Sequence, residues 1–472
     1  MSAVSPAGIL ASLWRLAGLS PQDLGPVELD GAEPALLSSF RIGAAAQATV
    51  AAVAAAAAEL HRRRGGGVQP VRVAMRHAAA EFHSEHYLRL AGQEPTDIWD
   101  GIAGTYRCGD GRWVRLHTNF PHHRAGVLRL LGCVGERPAV AAALRDWQAE
   151  AFEAAAAEAG LCVAAMRSIA EWEAHPQGQA VAALPPLRLE RFGDAPPTPL
   201  PAGIARPLSG LRVLDLTRVI AGPVCGRILA AHGAEVLHVS AAHLPSMDRI
   251  VVDTGRGKRT AALDLRTAAG RATLRSLAAG TDVFLQGYRP GAIAGHGFTP
   301  QALAELRPGI ICAAVSAYGE VGPWGDRRGF DSLVQTASGF NHAEAVAAGG
   351  QDDAAGQVKP RPLPCQAMDH ATGTLLAFGT LAAALRRAEE GGSWRVRVSL
   401  AGTGQWLRGL GRLEGAFGTP VPTLAEVGDL LEETDSGFGR LTALRHSGQL
   451  ARTPPHWVLP SVPLGTHPAA WG

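Results

Sequence analysis

A segmental repeat constrains this chain more than any other feature. Residues 44–60 form an Ala-rich helical stretch, His61–Gly67 a basic, Gly-rich stop, and Val71–Met75 (VRVAM) a strand. The same order returns at Asp369–Leu385, Arg386–Gly392 and Val396–Leu400 (VRVSL). Aligning the two strands (396 − 71) sets the offset at 325. Self-similarity of this kind predicts two tandem pieces of related structure. Under that offset Asp369 falls on Ala44, so only the second copy offers a carboxylate.

Between the pieces runs Asp194–Pro207 (DAPPTPLPAGIARP), whose prolines predict an extended linker. Ahead of it, Gly109–His117 (GDGRWVRLH) reads as a turn feeding a strand. Helical patterns near 139–157 and 166–175 follow, with Ser168 and Glu171 spaced as a cap. After it, short apolar strands at 211–216, 235–239, 282–285 and 310–315 alternate with helical patterns, one of them opened by Pro223. Alternation of this kind predicts an α/β fold with a doubly wound, mostly parallel sheet, accompanied by a smaller α+β domain. The division expected is 1–205, 206–418 and an irregular tail, 419–472, holding seven prolines.

Composition excludes several classes. Apolar residues make up 47% of the 472 and charged residues 18%, which is ample for a buried core and rules out a disordered chain. With 44 basic against 42 acidic residues the net charge is +2, so a nucleic-acid partner is not expected. Of those 44, only Lys258 and Lys359 are lysine. The six cysteines lie at least 25 residues apart, without zinc spacing, and read as reduced thiols of a cytoplasmic protein. Residues 1–19 lack the basic start of a signal peptide. The most apolar run, 44–58, falls short of the ~20 residues that cross a bilayer. No membrane partner is expected.

Three segments are candidates for chemistry. Thr217–Pro223 (TRVIAGP) joins a strand to a helix; by itself it reads first as a plain turn, although its free amides beside Arg218 suit a phosphate. It has no dinucleotide glycine fingerprint. Gly255–Thr260 (GRGKRT) combines glycines with Arg256, Lys258 and Arg259, and reads as a phosphate loop or an exposed basic turn. Asp369, in MDHATG, is either a helix cap or a carboxylate nucleophile held at a helix start. His122–His123 reads as a solvated pair, and Asp352–Asp353 lacks the alternating acids of a calcium loop. No metal site is expected.

Five segments in order carry a resemblance: LRVLDLTRVIAGP, GKRTAALDL, DVFLQGYRPGAIAGHGF, RPGIICAAVSAYGEVGPWGDRRGFD, and MDHATG with its helix. Together, over about 207–413, they resemble the class III CoA-transferases of the CaiB/BaiF type. Residues 31–205 resemble the later part of that family, including its small domain, so the chain looks like two incomplete, reordered copies. The resemblance implies a Rossmann-like CoA-binding domain and an intertwined homodimer, or a single-chain imitation of one. It implies that Asp369 carries CoA as an aspartyl thioester between an acyl-CoA and a carboxylic acid acceptor. CoA enters as a substrate and no cofactor is required. Carried over by position, the CoA contacts are Arg218, Ala221, Lys258, Tyr288 and Tyr318. Arg218, Ser240 and Gly295–His296 depart from residues common in relatives, and no Gly-rich closing loop is evident. The family's racemases use a His where this chain has Phe330, which cannot exchange a proton. Racemase or lyase-like chemistry at the α-carbon, and a CoA-binding subunit without turnover, are the alternative functions.

Overall fold

The computed structural model describes residues 5–94, 99–351 and 357–472. Asp352–Asp353 lies outside these.

Its centre is a seven-stranded sheet, whose strands we label in chain order. They are β1 (Leu187–Phe192), β2 (Arg212–Leu216), β3 (Glu235–Ser240), β4 (Lys258–Ala262), β5 (Val283–Gln286), β6 (Ile311–Ser316) and β7 (Ser393–Ser399). The spatial order is β4-β3-β2-β5-β6-β7-β1. All neighbours pair parallel except β7 and β1, which run antiparallel. The order reverses between β2 and β5, and a crevice opens at such a point at the carboxyl ends of the strands. Helices cover both faces. Alternate residues of one strand, such as Val213 against Leu214 and Leu216, enter separate cores. The predicted strands and helices of residues 211–315 are present, with ends displaced by a residue or two.

Four helices position the site: α1 (Ile42–His61), α2 (Ala221–Ala231), α3 (Asp331–Ala337) and α4 (Ala367–Glu390). The two Ala-rich helices of the repeat, α1 and α4, lie against one another, and α2 lies on α4. Alanine faces allow this approach, and Gly373 requires it. A Cβ there would stand 2.3 Å from the Ala221 carbonyl oxygen. The helix α1 has 20 residues, longer than its apolar run predicts. It is long and apolar enough to cross a bilayer, yet 94% of that window is buried inside the fold.

The first piece does not stand apart. Its small antiparallel sheet (Gly104–Arg107, Trp113–Leu116, Val163–Ala165) keeps its own core, but its last strand is β1 of the central sheet. The predicted cap is a full capping box between Ser168 and Glu171. The tail departs from its expected irregularity. Leu431–Ser436 and Gly439–Leu444 form a hairpin, which pairs with Arg89–Leu90, and Gln449–Leu450 pairs with Val71–Ala74. The hairpin escapes a pattern reading because its first strand is largely polar and solvent-facing.

Candidate active site

The site forms around the start of α4. Pro360, Pro362 and Pro364 hold the preceding chain out of helix, and α4 begins after Gln366 without a side-chain cap. Asp369 is therefore not a cap. Among the described residues its carboxylate has no hydrogen-bond partner, although it is only 7% exposed. Its backbone N–H donates instead to Asp331 Oδ2, at 2.8 Å, on α3. The first copy reproduces this contact at the matching position, where Ala44 N–H donates to Glu33 Oε1 at 2.7 Å. Both helix starts thus donate to an acid, although Glu33 and Asp331 are not related by the 325 offset, and only the second copy carries a carboxylate at the matching position itself.

Burial raises the Asp369 carboxyl well above the usual range, and the nearby Asp331 and Glu85 raise it further. Asp331, equally enclosed, is pushed up to about 6, mainly by desolvation; the Asp369 amide and the Gln335 side chain pull the other way. Two carboxyls that burial makes hard to ionise, beside a cleft, mark a functional site more often than a structural one.

Asp369 opens on a cleft of about 340 Å³. Arg218, Ala221 and Tyr288 line the same cleft, at the point where the strand order reverses. The turn that brings Ala221 there passes through Val219 at φ +68°, a costly conformation for a β-branched residue. A plain turn gives no reason for that cost. Arg218 donates to the Pro245 carbonyl and lies 5.0 Å over the Phe120 ring.

Two of the expected CoA contacts lie elsewhere. Lys258 is 1% exposed, and its ammonium donates to Asp215 Oδ2 at 2.9 Å and the Pro223 carbonyl at 2.8 Å. It forms part of the wall of a smaller neighbouring cavity, but its charge is matched internally. Its segment is neither a phosphate loop nor an exposed turn, because Arg256 is also buried, on Asp253 and the Leu444 carbonyl. Tyr318 is 1% exposed, its ring packs with Trp172 and Trp324, and it is not among the residues that line the cleft.

The first piece supplies the opposite wall, which no local motif announces. Phe120, His122, His123 and Cys162 all line the cleft. His122 is exposed, as a solvated residue should be, but His123 is buried, with Nε2 3.5 Å from Cys162 Sγ and Nδ1 unpartnered. Desolvation lowers His123 to about 4, so the ring is neutral. Phe330, also in the wall, stacks on His117 with ring centroids 3.8 Å apart.

The pattern that defines CoA-transferase family III matches residues 22–204 and 208–423. The chain belongs to CoA-transferase family III. The two matched segments of this family III protein meet inside the Pro-rich stretch, so both pieces of the repeat carry the family pattern. A probable fatty acyl-CoA transferase of Mycobacterium tuberculosis is 34% identical over 209 residues, 42% of this chain and 51% of that protein. The succinate–glutarate CoA-transferase of Agrobacterium fabrum is 34% identical over 152 residues, 28% of this chain and 38% of its own. The crystal structure of a hypothetical protein from Mycobacterium tuberculosis is 35% identical, covering 44% of this chain and 58% of that one, with a TM-score of 0.38. The chain spans a third to just over half of the curated relatives it first matches: 51%, 34% and 53% of their lengths.

Proposed function

We propose that this protein transfers CoA from an acyl-CoA to a carboxylic acid, with Asp369 as the nucleophile. One observation carries the reading: a buried carboxylate without a hydrogen-bond partner faces a cleft wide enough for a pantetheine arm. A carboxylate kept only as a cap or in an ion pair would not be left so.

In this reading an Asp369 oxygen attacks the thioester carbonyl, the C–S bond breaks, and CoA leaves as its thiolate, giving a mixed anhydride. The thiolate then attacks the aspartyl carbonyl and expels the acyl group as a carboxylate. The acceptor carboxylate attacks the carbonyl of the resulting aspartyl-CoA thioester, the C–S bond breaks, and CoA leaves again as its thiolate as a second mixed anhydride forms. The thiolate returns to the acceptor's acyl carbon, and Asp369 is regenerated. Protons balance without a general acid, because every leaving group is a thiolate or a carboxylate. The site's contribution is to hold a poorly solvated, reactive carboxylate in line with the thioester. The doubly wound half acts as a Rossmann-like CoA-binding domain. Arg218 and the uncapped start of α2 at Ala221 face the phosphates, and Tyr288 flanks them. Lys258 acts beneath this surface, as half of an internal ion pair. Phe330 leaves the α-proton alternative without a base at that position.

Incubation with an acyl-CoA, rapid quenching and peptide mass spectrometry test the reading. The expected result is a CoA ester, CoA less one water, on the peptide holding Asp369. An unmodified peptide under conditions of turnover overturns it.

The raised carboxyls also set a pH dependence. Only ionised Asp369 attacks, so kcat/KM falls as pH drops through its elevated pKa, and the acid limb lies well above the ordinary carboxylate range. The variant Asp331→Asn removes a neighbouring negative charge and can still accept the Asp369 amide. It moves that limb to lower pH. An unmoved limb in the pH–rate profile contradicts the coupling.

A further inference from the structure

We infer that Glu85, on the first piece of the chain, is a positioning residue for CoA transfer: paired with His370, it keeps a negative charge beside Asp369 that favours the CoA-bound form of that carboxyl over the free one. The inference rests on the CoA-transfer reading and deepens it, since it names what favours the loading of Asp369.

The arrangement is built from both pieces. His370 directly follows Asp369 in the first turn of α4. It is 1% exposed, and its ring stacks on Phe82 with centroids 5.7 Å apart. Its Nε2 lies 3.0 Å from Glu85 Oε2. Glu85 belongs to a single helical turn, Ser84–Tyr87, which hydrogen bonds to later parts of the chain hold in place. Ser84 Oγ donates to Asp253 Oδ2 at 2.7 Å, Arg249 donates to the Glu85 carbonyl at 2.9 Å, and the Tyr87 hydroxyl donates to the Pro422 carbonyl at 3.0 Å.

Two acids bear on Asp369, Asp331 and Glu85, and they are not equivalent. Asp331 is pushed up to about 6, mainly by desolvation, so it gives up part of its charge just below neutral pH. Burial pushes Glu85 up as well, but the charge of His370, its hydrogen bond and His83 outweigh that and hold the carboxyl below its usual value. Glu85 is thus the acid that stays ionised. Stability is a weak reason for keeping it, because desolvation cancels most of what a buried ion pair gains. Its effect on the chemistry is larger. Loading breaks the C–S bond to the acyl group, forms a C–S bond to the Asp369 carbonyl, and sends the negative charge away on the free acid. Between ordinary carboxyls that exchange is nearly balanced. Beside a fixed negative charge the free Asp369 carboxylate is costly and its neutral CoA thioester is not, so the exchange runs toward the loaded protein.

Intact-protein mass spectrometry of the full chain measures this equilibrium. Acetyl-CoA, succinyl-CoA and octanoyl-CoA are screened for the adduct. The donor that loads the parent is then equilibrated with an excess of its own carboxylate at pH 9, where more of Asp369 is ionised, and the fraction carrying CoA is read after acid quenching. Glu85→Gln keeps an acceptor for His370 and removes the charge, and its loading constant is expected to fall roughly three- to thirtyfold. Glu85→Asp keeps the charge and is expected to retain most of the parent's constant, even with a lower melting temperature. His370→Gln can still donate to Glu85 and leaves its charge in place, so its constant is expected to equal or exceed the parent's. An unchanged constant in Glu85→Gln, or a comparable fall in His370→Gln, overturns the assignment while the transfer reading stands. A parent that carries no CoA with any of the donors overturns the transfer reading itself, and this inference with it.

Discussion

Asp369→Asn is expected to lower the rate of CoA transfer by ~10³-fold or more, because it removes the atom that takes CoA and offers no substitute. Asparagine keeps the shape of the side chain, and the backbone N–H to Asp331 is untouched. Binding of CoA should therefore persist. A coupled assay of acyl-CoA turnover, beside a direct binding measurement with CoA, separates the two effects. Full turnover in the variant excludes Asp369 as nucleophile.

The same substitution should stabilise the fold, and the sign follows from linkage. The carboxyl is raised well above its unfolded value in the native state, chiefly by desolvation and then by Asp331 and Glu85. Between the unfolded and folded pKa values the native state holds more protons than the unfolded one, so stability falls as pH rises through that window. Asparagine has no such dependence. Asp369→Asn is expected to melt higher than the parent at pH 7.5, with the difference shrinking toward pH 4. A residue kept for structure would show the opposite.

What the sequence announced and what it concealed divide along a physical line. Local periodicity suffices for the β2–α2 and β6 segments, whose apolar strands and Pro223 start lie within a few residues of one another. The repeat at offset 325 was legible because α1 and α4 are continuous runs, and it singled out Asp369 as the one copy with an acid. Lys258 was read as a phosphate contact because a basic residue beside glycines looks exposed. Its partner is Asp215, 43 positions away on a strand two places along the sheet. The available clue was an acid in the middle of the apolar strand LRVLDL, which needs a buried cation. Tyr318 sits in a loop segment, SAYGE, and only the packing of Trp172 from the first piece shows that it is core. Phe120 and His123 reach the site through tertiary folding of the first piece, and no spacing encodes that.

Lys258→Met is expected to destabilise the fold by about 3–5 kcal/mol, the usual consequence of leaving one member of a buried ion pair without its partner. Asp215 lies under α2, and the fit is close. A Cβ on Gly226 would stand 2.5 Å from Asp215 Oδ2 and 2.9 Å from the Lys258 ammonium. Methionine fills the volume but cannot answer the charge or the Pro223 carbonyl. In the parent, burial pushes Asp215 up, but Lys258, His238 and the Thr217 hydroxyl outweigh it and hold the carboxyl below its usual value. That contribution is present above the unfolded pKa and is lost as pH falls through the depressed one. In Lys258→Met the balance reverses. Desolvation then dominates, the folded pKa of Asp215 rises, and the deficit is largest at neutral pH and smaller near pH 5. Urea denaturation at the two pH values measures both terms. The double variant Asp215→Leu with Lys258→Met should recover most of the loss, because it leaves no unpaired charge beneath the helix. A Lys258→Met protein that keeps the parent's denaturation midpoint and only binds CoA more weakly would return this lysine to the phosphates.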